Sequence, residues 1–276
     1  MIGAISGDII GSVHEGAAPQ PKGFPLFVPG SRFTDDTVLT VAVASAVMAG
    51  TDYADSLRKW GRRYPRAGYG GWFYRWLFEA DAPAYNSFGN GSAMRVAAIG
   101  WAFDDLDAVL REAARSAEVT HDHPEGIKGA QAVAAAVWAG RTGQSKDRIA
   151  ASLWERFGYD CDLDWNTLQS RGGFDMTCQG TVPAAAAAFL QSTDFEDAVR
   201  RSVSLGGDAD TLACIAGAMA CIAGAMAEAY YGCVPDSIQA EVMARLDPAL
   251  RAEVVAFAQR YGVPIAERNH SGNAPS

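Results

Sequence analysis

Histidine and cysteine are scarce in this chain of 276 residues, with four of the first and five of the second. The cysteines (161, 178, 214, 221 and 233) are odd in number, widely spaced and form no Cys-x-x-Cys. That excludes a disulfide framework and a zinc knuckle and leaves thiols expected to be reduced and mostly buried. Strand signals are missing too, since no stretch alternates apolar and polar residues over a useful length. No Pro-, Gly- or Ser-rich linker divides the chain, so a single domain around one large core is expected, residues 1–268, followed by a loose tail at 269–276. The start is too short and too interrupted by Gly, Asp and His for a signal peptide or membrane span, so a cytoplasmic protein with no membrane partner is expected. Positive charge is also short. A net charge of −9 argues against broad nucleic-acid affinity.

What remains is helical pattern almost throughout. Apolar periodicity and capping residues predict helices over 36–49, 55–64, 104–119, 124–141, 145–157, 182–191 (opened by Pro183), 195–204, 235–246 and 248–261, with another ending near Tyr231. Gly3, Gly7 and Gly11 recur every four residues, a small-residue face for close helix packing. The basic run of Arg58, Lys59, Arg62, Arg63 and Arg66 reads as a solvated face. One repeat is unusual: CIAGAMA occurs at 214–220 and again at 221–227. Seven residues are nearly two turns, so the copy lengthens a helix by about 10 Å and rotates the residues beyond it by only about 20°, keeping the apolar face.

Two acidic stretches of the same build stand at helix starts. Gly206, Gly207, Asp208, Ala209, Asp210 and Thr211 precede the Ala- and Met-rich run, and Thr34, Asp35, Asp36 and Thr37 precede another apolar run. One Asp suffices for an N-cap, so the surplus acids need another reason. If the four Asp converge with Glu15, which lies where the first segment meets a Pro/Gly-rich loop, each like-charged pair at about 4 Å costs roughly 4 kcal/mol at an effective dielectric of 20. Helix dipoles of about half a charge cannot offset that. Divalent cations can, and hard oxygens without interleaved Cys or His favour magnesium, manganese or calcium over zinc.

Two glycine-rich loops offer backbone N–H groups to an anion: Gly68, Tyr69, Gly70 and Gly71, and Asn86, Ser87, Phe88, Gly89, Asn90, Gly91 and Ser92. Plain turns use the same residues. His121 and His123 flank Asp122 just before Pro124, which suits the first position of a helix and puts both histidines in a loop or cap.

Taken together, GDIIGS at 7–12, FTDDT at 33–37, SFGNGSAMR at 87–95, THDHPEGIKGA at 120–130 and GGDADT at 206–211 resemble the ADP-ribosylglycohydrolase family. The resemblance implies an all-α orthogonal bundle with two divalent cations, magnesium or manganese, that removes ADP-ribose from a modified protein side chain such as arginine or from a small conjugate, acting as a monomer. A nucleic-acid acceptor is left open. It carries metal ligation to Thr34, Asp35, Asp36, Asp208, Asp210 and Thr211, and catalytic roles to Glu15, Asp36 and Asp210. It carries substrate contacts to Gly68, Tyr69, Gly70, Gly71, Ser87, Phe88, Gly89, Asn90, Gly91 and His121. The family usually shows one CIAGAMA-like segment, so the second copy is a departure.

Three rival readings use the same residues. An all-α metal-dependent phosphohydrolase would draw on His121 and Asp122 but leave Asp35, Asp36 and Asp210 unexplained. An inactive ADP-ribose-binding protein has no need of so many mutually repelling acids. A Cys178 nucleophile with His121 rests on residue types alone.

Overall fold

The computed structural model describes residues 1–14, 20–171, 176–206 and 215–265, apart from the side chains of 171 and 215–219. They form fifteen helices: α1 Ile2–Gly11, α2 Asp35–Ala49, α3 Tyr53–Arg63, α4 Gly71–Phe78, α5 Gly91–Met94, α6 Ala97–Ala102, α7 Leu106–Glu118, α8 Pro124–Arg141, α9 Lys146–Phe157, α10 Trp165–Arg171, α11 Cys178–Leu190, α12 Phe195–Ser204, α13 Ile215–Tyr231, α14 Asp236–Arg245 and α15 Pro248–Tyr261. Among the described residues the only β-type pairing is an isolated bridge between Gly89 and Thr177. The fold is all-α. None of the described helices is long and apolar enough to cross a membrane.

The helix starts are chemical. Thr34, Asp52, Asp105, Ser145, Thr177 and Asp194 each accept a backbone N–H of the turn they open. Pro124 and Pro248 occupy first-turn positions, and Gly50, Gly158 and Gly262 end their helices in the left-handed conformation. One helix starts earlier than its sequence suggests. The helix expected over 182–191 begins at Cys178, with Pro183 inside it. The N–H that proline lacks would have gone to the carbonyl of exposed Gln179, where water can take its place. The basic run on α3 is mostly solvated, but Arg58 is half-buried, with its guanidinium 4.0 Å from the Trp76 ring centroid.

The described helices share one apolar core. All ten residues of α1 are buried, and α13 runs beside α1, α8, α11 and α12. The two helices α1 and α13 meet backbone to backbone. A Cβ on Gly3 would lie 2.3 Å from the Gly224 carbonyl oxygen, and one on Gly7 2.0 Å from that of Ala220. α1 has no side-chain cap of its own. Its first amides, on Ile2 and Gly3, instead donate to the buried Glu228 carboxylate of α13 at 3.2 and 3.0 Å, and the Met1 nitrogen reaches the same group.

Candidate active site

The organising group is Asp8, a carboxylate in the middle of an otherwise uncharged, fully buried helix. A buried carboxylate is tolerable only when hydrogen-bonded, and Asp8 has four such bonds. Oδ1 accepts from the Thr34 hydroxyl at 2.6 Å, and Oδ2 accepts from the Thr34 and Thr37 amides at 2.9 and 3.1 Å and from the Thr37 hydroxyl. Burial pushes its pKa up, and these bonds oppose the rise. Asp8 thereby fixes the loop that opens α2. In the sequence it is a lone acid among apolar residues within GDIIGS at 7–12, a motif that assigns it no role of its own.

Thr34 caps α2 by accepting from the Asp36 amide at 3.3 Å. Asp35 and Asp36 follow in the first turn, both buried. The Asp35 amide donates to the Ala67 carbonyl at 2.9 Å, which brings the Gly68, Tyr69, Gly70 and Gly71 loop alongside. Gly68 has φ +111°, and a Cβ there would sit 3.4 Å from Asp35 Oδ1. Only glycine fits that conformation and approach readily. Tyr69 stacks on Phe73 at 5.5 Å between ring centroids, and burial, aided by the Asp35 charge, pushes its pKa up.

The second loop is pinned from three sides. The Asn90 amide donates to the Met176 carbonyl at 2.7 Å and the Cys178 amide to the Phe88 carbonyl at 2.9 Å. The Asn86 amide, at a φ of +52°, donates to Asp122 at 2.7 Å. Ser87 Oγ accepts from the Gly89 amide at 3.2 Å, and Phe88, partly exposed, packs on His123 at 5.1 Å between ring centroids. Gly91 opens α5, where a Cβ would lie 3.1 Å from His121 Nε2.

His121 is buried, and desolvation with the nearby Arg95 charge holds its pKa well below the usual range, so the ring is neutral. Arg95, fully buried, donates to the Ser116 carbonyl at 2.6 Å and to the Thr120 hydroxyl at 3.0 Å. That hydroxyl lies 2.7 Å from His121 Nδ1. When the Thr120 hydroxyl gives its own proton to Nδ1, the proton of the neutral ring is on Nε2, facing Gly91.

One carbonyl joins the two halves. Met94, the last residue of α5, accepts from Thr40 of α2 at 3.3 Å and from the Cys221 thiol of α13 at 3.2 Å. Thr40 lies one turn after Asp36 on the same face of α2. Burial, then the charges of Asp36 and Asp8, push the Cys221 pKa well up. Asp8, Asp36, Thr40, Cys221 and the α5 terminus therefore share one locality. Thr37, Arg95 and Thr120 inside the quoted motifs, Cys221 inside the repeat and Thr40 beside them hold the site together, in roles that no pattern along the sequence marks.

Glu15, Asp208, Asp210 and Thr211 lie outside the described residues. Among the described residues no group of three or more His, Cys, Asp or Glu is placed to hold a metal. Thr34, Asp35 and Asp36 form a hard-oxygen set that fits magnesium or manganese and needs further ligands to complete it. Cavities of about 270 and 280 Å³ border α9, the first lined by Trp138, Arg148 and Glu155 and the second by Trp154 and Cys161, and share no residue with the acidic cluster. The chemistry of the cluster weighs more than their size.

His121 and Asp122 point to different partners, Thr120 and Asn86, which is no shared metal site. The Cys178 thiol is buried against the Gly89 carbonyl at 3.2 Å and its pKa is pushed up to about 11, principally by burial, so it is no ready nucleophile.

Paired acids at a helix start stand beside two glycine-rich loops on an all-α core. Residues 1–270 match the family described as ADP-ribosylglycohydrolase, and the chain belongs to that family. It is similar to ADP-ribosylhydrolase ARH3 of Homo sapiens and of Bos taurus, each 28% identical over 87% of this chain and 86% of the relative's length. It is also similar to a solved structure titled ADP-ribosylglycohydrolase-related protein complex, at a TM-score of 0.67 and 26% identity, covering 94% of this chain and 95% of that one.

Proposed function

We propose that this protein hydrolyses the bond joining ADP-ribose to a modified acceptor, a protein side chain such as arginine, in a site that holds two divalent cations, magnesium or manganese. Family membership over residues 1–270, together with the Thr34, Asp35 and Asp36 cluster held by Asp8, carries the reading. Thr34, Asp35, Asp36, Asp208, Asp210 and Thr211 would hold the cations. Bound there, the cations supply positive charge that fixes and polarises the ribose hydroxyls.

The chain's own groups do the rest. The loops of Gly68, Tyr69, Gly70 and Gly71 and of Ser87, Phe88, Gly89, Asn90 and Gly91 hold the diphosphate and ribose, with the Gly89 and Asn90 amides kept by Ser87 Oγ and the Met176 carbonyl. His121 Nε2–H donates to the bound nucleotide. Asp8 takes the Thr34 proton and the Asp36 amide takes one lone pair of that hydroxyl, which leaves the other lone pair for a cation. Glu15 positions and deprotonates the attacking water as the oxocarbenium-like transition state develops, with Asp36 and Asp210 ordering the reacting ribose. An assay for free ADP-ribose from ADP-ribosylated arginine, with and without EDTA, tests this. Release that EDTA abolishes and manganese restores is expected; release unaffected by EDTA overturns the metal role, and no release from any acceptor in a panel overturns the hydrolase.

A further inference from the structure

Arg95, Thr120 and His121 form a chain of hydrogen bonds, and matching donors to acceptors along it assigns each proton. Thr120 is fully buried, and its hydroxyl oxygen has two neighbours among the described residues, Arg95 Nη2 at 3.0 Å and His121 Nδ1 at 2.7 Å. A guanidinium can only donate, so the oxygen accepts from Arg95. The hydroxyl proton then has Nδ1 as its acceptor. A proton on Nδ1 instead would aim two donors at one oxygen and strand a buried O–H, an orphan that folded proteins rarely keep.

Arg95 decides between the two arrangements. Its guanidinium also donates to the Ser116 carbonyl at 2.6 Å, four residues before Thr120, where a threonine hydroxyl often turns its own proton. By drawing on that carbonyl and on one lone pair of the Thr120 oxygen, Arg95 turns the hydroxyl proton toward Nδ1. Packing alone does not account for an arginine here. Its Nε and Nη1 have no partner, and no carboxylate of the described residues neutralises it. Burial pulls its pKa down to about 10, which leaves it charged at neutral pH, and a buried unpaired charge costs stability.

The far side of the ring meets the glycine loop. A Cβ on Gly91 would lie 3.1 Å from Nε2, and one on Gly126 3.0 Å from the His121 Cβ, so loop and helix close on the imidazole without side chains between. Tyr85 flanks it at 6.0 Å between ring centroids. Resting on the nucleotide reading above, we infer that Arg95 and Thr120 are positioning residues that hold the His121 proton on Nε2, so that the pocket offers a donor there and favours a phosphate or ribose oxygen of the ligand.

¹⁵N NMR of the ligand-free full chain, labelled at histidine, reads the proton directly, with His121→Asn assigning the signals. Nε2–H is expected in the wild type and in Thr120→Ser, and a mixture of both tautomers in Thr120→Val and in Arg95→Met. A purely structural role would lower stability without moving that signal. Nδ1–H in the wild type overturns the inference, and so does an Nε2–H ring that neither Thr120→Val nor Arg95→Met disturbs. If one of those two variants does not fold, the other carries the comparison, and the wild-type spectrum stands by itself. Calorimetric titration with ADP-ribose then follows the donor. Affinity within about threefold of the wild type is expected for Thr120→Ser and at least about 10-fold weaker binding for Thr120→Val, the loss of a hydrogen bond to a charged or strongly polar group. Wild-type affinity in a Thr120→Val chain with mixed tautomers overturns the role of that donor in binding. A wild type that binds no ADP-ribose overturns the nucleotide reading, while the spectra decide the proton assignment independently.

Discussion

The Thr34 hydroxyl donates to Asp8 Oδ1 across 2.6 Å, tying the start of α2 to the middle of α1. Asp8→Asn keeps the shape but replaces one acceptor oxygen with a donor that faces other donors. A cost of about 1–3 kcal/mol is expected from buried groups left unpaired. Urea unfolding of the metal-free protein measures it. A cost near zero would show that the four bonds to Asp8 are not integral to the fold.

Gly7→Ala places a methyl 2.0 Å from the Ala220 carbonyl oxygen, where neither backbone can yield without parting α1 from α13. A loss of about 1–3 kcal/mol or more is expected, visible as a lower melting midpoint. Gly50→Asn, at an open left-handed position with no atom near its Cβ, is expected to change stability far less.

His121 makes acid stability legible. Its folded pKa lies well below the ordinary value of about 6.5, so above that pH both folded and unfolded rings are neutral and the group is silent. Below it the unfolded ring takes a proton that the folded ring refuses. Stability from this group falls as pH drops, by about 1.4 kcal/mol per unit, until the folded pKa is reached. Denaturation at a series of pH values should show the wild type losing more than His121→Asn between pH 6.5 and 5. Parallel curves would mean that the ring protonates in the fold.

Glu15→Gln is expected to lower kcat by roughly 100- to 10,000-fold, the range for a general acid or base, while calorimetry still shows ADP-ribose binding. Asp36→Asn is expected to weaken Mn²⁺ binding as well. If Glu15→Gln abolishes Mn²⁺ binding, Glu15 is a ligand rather than the group that handles water.

Helices such as Pro124–Arg141 and Phe195–Ser204 were legible to the residue because caps, proline and periodicity agree there. Short helices such as Ala97–Ala102 left no periodic signal, and Pro183 misled because proline tolerates an early helix turn when the freed carbonyl is exposed. In the site, Thr34, Asp35 and Asp36 announced themselves by charge at a helix start, and the glycine loops by composition. Asp8 did not, since its partners lie 26 to 29 residues away. Arg95 and Thr120 escaped for the same reason: a pattern along the chain does not show what tertiary contact brings beside His121.

The bonds from Glu228 to the first amides of α1 join residues 225 and 226 positions apart. A ribosome that adds about 5–20 residues per second needs roughly 10–45 s to supply that partner. Until then α1 has no cap and lacks α13, and of the helices it packs on only α2, which pairs its Asp8 through Thr34 and Thr37, is made early. Nascent chains therefore carry α1 uncapped and without α13 throughout that interval. Holdase chaperones that bind short apolar stretches have that whole interval in which to act, and α1 closes onto the core only when α13 is made.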